Sequence, residues 1–311
     1  MMLLSRVATN LYWAARYLER AEDTARVVRT YTEMMVDLPT SVSSSWEPLL
    51  SVVGSRTAFD ASHARVQEDD VVRYLVADLA NPASVVASVA AARENLRTTR
   101  EVFPREAWQA VNDLHLYAGS NGEAGVNRRS RARFLNRVIA DCQQFDGVLA
   151  STMSRDAAYE FWRLGEAIER ADMTTRVLGV RAATLLAAPA DVDDHDEVQW
   201  MGVLRSLSAM QMYHRAVRGP IDGKAAVEFL LFDLEFPRSV ARCAQRSREA
   251  LRRLPNCERT LPAVDVIDEV LATLPTDAGD GAALDAAMDR VQVALASLSD
   301  DITTAFTAGG A

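Results

Sequence analysis

Residues 17–26 read YLERAEDTAR, and residues 167–176 read AIERADMTTR. The two stretches, here called the first and second Glu-Arg motifs, start 150 residues apart and align without a gap. Both contain the pattern Glu-Arg-Ala-acid-x-Thr-x-Arg. A repeat at one fixed offset is typical of an internal duplication. It predicts two related helical lobes, which we place at residues 1–153 and 154–311.

Apolar residues recur at three- and four-residue spacing along almost the whole chain, and alternating runs rich in Val, Ile, Thr and aromatic residues are missing. This spacing predicts an all-α fold, a helical bundle built from the two lobes. Because glycines mark loops, we expect a helix to stop at residues 119–122. We also expect one continuous helix over residues 197–217.

Each motif forms a charged stripe when it is drawn on a helix at about 100° per residue. The stripe borders the predicted core instead of lying opposite it, and an aromatic residue lies seven positions before each leading Glu. The first stripe contains Tyr12, Glu19, Glu22 and Arg26, with Arg20 on its flank. The second contains Trp162, Glu169, Asp172 and Arg176, with Arg170 on its flank.

Two interpretations of the stripes stay open. In the first, they are partly buried Arg-carboxylate pairs that fix how the lobes dock. In the second, the motifs face one another and line a shared polar cleft, where Arg binds a carboxylate or phosphate and Glu binds a cation or moves a proton. Glu19 and Glu169 are then the candidate catalytic residues, and the other eight residues of the stripes and flanks are candidate ligand-binding residues.

Composition excludes several classes of protein. With 49% hydrophobic and 25% charged residues, the 311-residue chain has a globular composition. Its formal charge of -9 argues against generic nucleic-acid binding, which needs a basic surface. No apolar stretch is long enough to span a membrane, no signal peptide is recognisable, and the three cysteines form no C-x-x-C pair. We therefore expect a cytoplasmic protein that does not enter the membrane.

Five arginines fall within ten residues after the glycine-rich stretch. They predict either a solvated face that pairs with neighbouring acids or a patch that docks a phosphate, an acidic peptide or a partner. The five are Arg128, Arg129, Arg131, Arg133 and Arg137.

No intrinsic cofactor is predicted. A di-iron site in a helical bundle uses Glu-x-x-His, and none of the four histidines has Glu three residues before it. Residues 219–224 (GPIDGK) depart from a P-loop in spacing and lack its Ser or Thr. The metal is unknown, although a carboxylate-only Mg or Mn site stays open.

The two Glu-Arg motifs, together with residues 92–95 (AREN), 108–112 (WQAVN) and 236–240 (FPRSV), resemble the Alpha-E family of bacterial all-helical proteins. The resemblance covers most of the chain. It implies a cytoplasmic protein that accompanies circularly permuted ATP-grasp amidoligases and transglutaminase-like peptidases, sometimes fused to them. ATP and Mg would then enter only through the partner ligase. One departure is Met173, which replaces Asp23 of the first motif, so a metal ligand set would not be symmetric.

These observations together predict an accessory or substrate-handling component of an ATP-grasp amidoligase system for peptide synthesis or modification. It would bind an amino acid, a peptide end or a partner in the Glu/Arg cleft. One alternative is a stand-alone enzyme that uses Glu19 and Glu169 as general acid/base or divalent-metal ligands. Another is a purely structural helical scaffold.

Overall fold

The computed structural model describes residues 4–37, 45–187, 196–255, 257–274 and 281–307. These residues form fourteen α-helices and two short 3-10 turns, and no strand occurs among them. The predicted all-α fold is confirmed. Within the same ranges, no helix is both long enough and apolar enough to cross a membrane.

The chain divides into two compact units. Unit 1 comprises Met1–Glu166 and Phe306–Ala311, and unit 2 comprises Ala167–Ala305. The division falls inside α8, Ala157–Ala187, whereas the sequence places a lobe boundary at residues 153 and 154, in the short connection before that helix. The internal duplication stays a prediction.

Unit 1 is organised around a four-helix bundle. The helices that begin in this unit before α8 are α1 Ser5–Asp37, α2 Glu47–Val52, α3 Arg56–Asp60, α4 Glu68–Val76, α5 Val85–Arg97, α6 Arg105–Val126 and α7 Arg128–Thr152. Helix α1 packs against α5 and α7, and α6 packs against the same two helices, so the four form a closed ring. Helix α4 packs mainly on α6.

The glycine-rich stretch is helical, so the predicted stop at residues 119–122 is wrong. Helix α6 continues through it to Val126. A Cβ on Gly125 would lie 2.6 Å from the ring of Phe134 and 2.7 Å from Val76. Gly122 is similarly close to Val86, at 3.1 Å. These two glycines therefore permit close helix packing instead of ending the helix.

Unit 2 contains α8 from Ala167 onward and the helices after it up to Ala305. The later helices are α9 Asp196–Ser206, α10 Met210–Ala216, α11 Gly223–Phe232, α12 Val240–Leu251, α13 Leu261–Ala272 and α14 Gly281–Thr307. Helix α9 packs on α10 and α11, α11 packs on α12, and α12 packs on α13.

The predicted single helix over residues 197–217 is also wrong, because it breaks between α9 and α10. Ser208 has a positive φ of 52°. The N–H of Ala209 donates to the carbonyl of Leu204 at 2.7 Å, and the N–H of Ser208 donates to that of Arg205 at 3.1 Å. This pair of bonds is a Schellman motif. Ser208 takes the place of the usual glycine, so no local residue pattern predicts this helix end.

Candidate functional site

The first Glu-Arg motif is buried in the core of unit 1. Glu19, Glu22 and Arg26 are 3%, 2% and 1% exposed. The Arg26 guanidinium forms an ion pair with Glu22 one turn earlier and donates to Asp23 Oδ1 at 2.8 Å. Spacings of three and four residues bring these side chains to one helix face. Burial of a guanidinium requires such partners, since an isolated buried charge is strongly destabilising.

A small acidic cavity lies beside this motif. Glu19, Glu22 and Asp146 each place a carboxylate oxygen within 4.8 Å of the others. As the side chains stand, the cavity has no room for a water molecule. Its polar and aromatic lining comes from α1, α7 and the start of α8: Glu19, Glu22, Cys142, Asp146, Trp162 and Glu166.

Helix α7 supplies one wall of the cavity. Gln143 Nε2 donates to Glu22 Oε1 at 3.1 Å, and the Cys142 thiol lies 3.8 Å from the carbonyl oxygen of Leu18. Burial raises the pKa of the Cys142 thiol well above its usual value, and the carboxylates of Glu22 and Asp146 raise it further. Cys142 is therefore a neutral thiol and a packing residue, not an activated nucleophile.

Trp162 forms the aromatic wall. Its ring centroid lies 5.1 Å from that of Phe145 and 6.0 Å from that of Phe103. Gly165 allows α8 to approach α1 here. A Cβ on Gly165 would collide with the carbonyl oxygen of Tyr12 and lie 2.8 Å from the Cβ of Ala15. The glycine thus sets how closely Trp162 can approach the acidic cavity.

Tyr12 and Arg20, two candidate ligand-binding residues, lie outside the lining of this cavity. Tyr12 is 2% exposed and packs edge-on against Trp13, with 5.5 Å between ring centroids. Arg20 is half-buried, and its guanidinium lies 5.8 Å from the ring centroid of Tyr17. Within unit 1 both residues therefore contribute to packing beside the cavity.

The second Glu-Arg motif belongs to unit 2. Glu169 is 2% exposed, like Glu19, and Arg170 is half-buried. Arg176 Nε donates to Asp172 Oδ2 at 2.8 Å, but these side chains are 31% and 16% exposed. Met173, in the position of Asp23, is 4% exposed. The second motif thus has the same helical ion pair in a wetter setting.

Sequence reasoning missed Asp146 and Glu166. Glu166 lies four residues after Trp162 and three before Glu169. That spacing places it on the same helix face, so helical periodicity could have found it. Asp146 carries no such signal, because only the packing of α7 on α1 brings it to the first motif. The predicted cleft shared by the two motifs stays a prediction.

The arginine cluster divides into structural and exposed members. Arg131 is 1% exposed and pairs with Glu68 at 2.9 Å, so it is a buried structural residue and not part of a surface patch. Arg128 also pairs with Glu68, and Arg137 pairs with Asp141 at 2.7 Å. The two exposed members that form no ion pair among the described residues are Arg129 and Arg133.

Carboxylates in this arrangement accept hydrogen bonds or bind hard cations. Each ionised carboxylate is acceptor-only, so the cavity suits an ammonium group with its three donors. Oxygen ligands also suit Mg²⁺, and Glu19, Glu22 and Asp146 could hold such an ion. They are the one group of at least three potential metal ligands found in the part of the chain that the structure describes.

The fold and this site define an all-helical protein with a bundle-enclosed Glu/Arg centre. The chain belongs to the Alpha-E family, whose model is described as "a predicted alpha-helical domain with a conserved ER motif" and matches residues 3–306. The resemblance inferred from the motifs is confirmed.

Known relatives add organism and length. Proteins of Mycobacterium bovis and Mycobacterium tuberculosis, both named only as uncharacterized, are 24% identical over 294 residues. The match covers 85% of this chain and 31% of each relative, so the chain spans about a third of their length. No solved structure matches.

Proposed function

We propose that this protein is the substrate-handling component of an ATP-grasp amidoligase system, and that it binds the amine of an amino acid, a peptide end or a partner segment at the Glu/Arg site. The observation that carries the proposal is the cluster of buried Glu19 and Glu22 with half-buried Asp146, beside the first Glu-Arg motif. Amide synthesis needs an amine as the nucleophile, and a carboxylate cluster is the side-chain chemistry that recognises one.

The geometry of the motif supports recognition of an amine. Arg26 is fixed by Glu22 and Asp23, so the Glu22 carboxylate is already oriented when a ligand arrives. Pre-oriented groups lose little entropy on binding. Because the cavity now has no room for a water molecule, entry of an amine requires movement of lining side chains. Glu169 of the second motif is proposed as a second functional carboxylate, because it is as deeply buried as Glu19.

The length of the relatives supports a partner. About two thirds of each relative lies outside the region matched to this chain. Fusion of an Alpha-E module to an ATP-grasp ligase is what the family resemblance implies, and such a module would present substrate to the ligase. ATP and Mg are then supplied by the circularly permuted ATP-grasp partner in the cytoplasm. A transglutaminase-like peptidase is a further proposed partner.

The test uses Glu19→Gln and Glu169→Gln in the full chain, with Glu33→Gln as the control because Glu33 is an exposed acid of α1. ATP hydrolysis and amide formation are measured with the cognate ATP-grasp protein, and folding is measured by thermal unfolding. We expect both site variants to unfold cooperatively, and we expect their ligase-dependent activity to fall by about tenfold or more. Loss of cooperative melting in both, with no separate activity defect, would instead support a structural scaffold.

A second candidate function is a stand-alone enzyme with Glu19 and Glu169 as general acid/base or divalent-metal ligands. The approach of three carboxylates to within 4.8 Å favours it. Calorimetric titration of the isolated protein with Mg²⁺, Mn²⁺, ATP and amino acids separates the two functions. If the isolated protein binds metal and Asp146→Asn abolishes that binding, the enzyme function is supported. If a heat of binding is observed only after the ligase is added, the partner role is supported.

A further inference from the structure

A second cavity lies in unit 1 where α4 and α7 begin. Its volume is about 550 Å³, and it is largely open to solvent. It shares no lining residue with the acidic cavity. Its lining residues are Gln67, Glu68, Asp69, Asn127, Arg128 and Arg129.

A buried arginine organises this cavity from behind. Arg131 donates to Glu68 Oε1 at 2.9 Å and to the carbonyl oxygen of Val126 at 2.8 Å. The same Glu68 carboxylate accepts a hydrogen bond from Arg128 Nε at 2.7 Å. Glu68 therefore links the buried Arg131 to the exposed Arg128. Side chains held through such a relay keep a fixed geometry in the absence of ligand.

Two opposite charges in the lining are not used by this relay. Asp69 stands in the first turn of α4 and Arg129 in the first turn of α7. Both are exposed, and neither forms a salt bridge with any residue that the structure describes, while Asp69 interacts with the Arg128 guanidinium only at longer range. An acid and a base that line one cavity without pairing leave a space that a molecule carrying both charges can bridge.

Asn127 adds oriented donors to the basic wall. Its Oδ1 accepts a hydrogen bond from the backbone N–H of Arg129 at 2.9 Å, which caps α7. That bond fixes the amide and leaves its two N–H groups for a ligand. The Gln67 side chain, which makes no capping bond to α4, is available on the acidic wall.

We propose that this cavity binds a small zwitterion of the amino-acid type. Arg129 receives the carboxylate with its guanidinium fork, assisted by the Asn127 amide, and Asp69 receives the ammonium group. A simple anion meets repulsion from Asp69, and a simple cation meets repulsion from Arg129, so a ligand with both charges is preferred. The site is separate from the proposed amidoligase role and does not depend on it.

The test is a titration of the ¹⁵N-labelled full chain at low ionic strength, followed by backbone amide chemical shifts. The probes are glycine and triglycine, which differ in charge separation, with N-acetylglycine as the carboxylate alone and glycinamide as the ammonium alone. We expect shifts at residues 67–69 and 127–129 with one of the zwitterions, and binding about tenfold weaker with each single-charge probe.

Variants locate the two charges. Arg129→Gln and Asp69→Asn should each weaken zwitterion binding about tenfold, while Arg133→Gln, an exposed arginine of the same helix outside the lining, should leave it unchanged. Since Asp69 and Arg129 are exposed, both variants are expected to fold. Equal binding of N-acetylglycine and the zwitterions, stronger binding in Asp69→Asn, or no shift at these residues with any probe would overturn the proposal.

Discussion

The two Glu-Arg motifs share a sequence pattern but place their final arginine in different environments. In the first, Arg26 has two carboxylates within one helical turn and is 1% exposed. In the second, Met173 replaces one of these acids, and Arg176, which is 31% exposed, pairs with a single carboxylate among the residues that the structure describes. The more deeply buried guanidinium therefore has more carboxylate partners. This is expected, because a buried charge without enough partners has a high free energy.

Substitution of the two arginines should give the largest difference in the free energy of unfolding. Arg26→Met should lower the free energy of unfolding by about 3–5 kcal/mol, because it removes the guanidinium shared by the buried Glu22 and Asp23. Arg176→Met should lower it by less than about 1 kcal/mol, because its ion pair is partly solvated. Urea unfolding of both variants measures the difference. Similar losses in the two would show that burial of the motif arginine does not set its contribution.

The two glycines of α8 that lie in different units give the next effect. Gly165→Ala should destabilise by about 3 kcal/mol, because its Cβ would collide with the backbone of Tyr12. Gly179→Ala is the matched control, since the nearest atom to its Cβ would be in Met288 at 3.7 Å. It should be neutral or stabilise by up to about 1 kcal/mol through helix propensity. Thermal unfolding tests both, and a tolerated Gly165→Ala would contradict the close approach of α8 to α1.

Glu68 should make a smaller contribution to the free energy of unfolding, and this contribution depends on pH. Burial raises the pKa of Glu68, but hydrogen bonds from Arg128 and Arg131 outweigh burial and hold that pKa below its usual value of 4.5. The folded state therefore keeps the charge to lower pH than the unfolded state. The resulting stability is present above about pH 4.5 and is lost as the pH falls through the lowered pKa.

Glu68→Gln should therefore be less stable than the wild type by about 1–2 kcal/mol at pH 7, with the difference shrinking below pH 4.5. Denaturant unfolding from pH 7 to pH 3 measures it. Glu33→Gln, at an exposed acid of the same unit, controls for general acid effects. A difference that is constant with pH would show that the Glu68 charge does not contribute to folding.

Local pattern was enough to predict most helices, but it failed where packing replaced turn chemistry. Gly122 and Gly125 look like a loop in the sequence, yet each allows a close helix contact inside α6. The break at Ser208 was missed for the opposite reason, because a residue other than glycine adopts the positive φ. The glycine contacts involve residues that are distant in sequence, and the helix end at Ser208 lacks the glycine that usually marks such an end.

The candidate site shows the same limit. Helical spacing alone grouped Glu19, Glu22 and Arg26, and their burial follows from a stripe that borders the core. The sequence could not divide the arginine cluster into buried and exposed members. No residue near Arg131 in the sequence predicts that this arginine is buried and paired with Glu68.

Spacings of three and four residues are enough to establish that the chain is helical, that it carries two Glu-Arg motifs, and which side chains share a face within one helix. The packing of helices against one another brings Asp146 to Glu19 and Glu22, and it lines the cavity with Trp162 and Glu166. Such contacts depend on how side chains of separate helices fit together, as at Gly165, and no local periodicity encodes that fit.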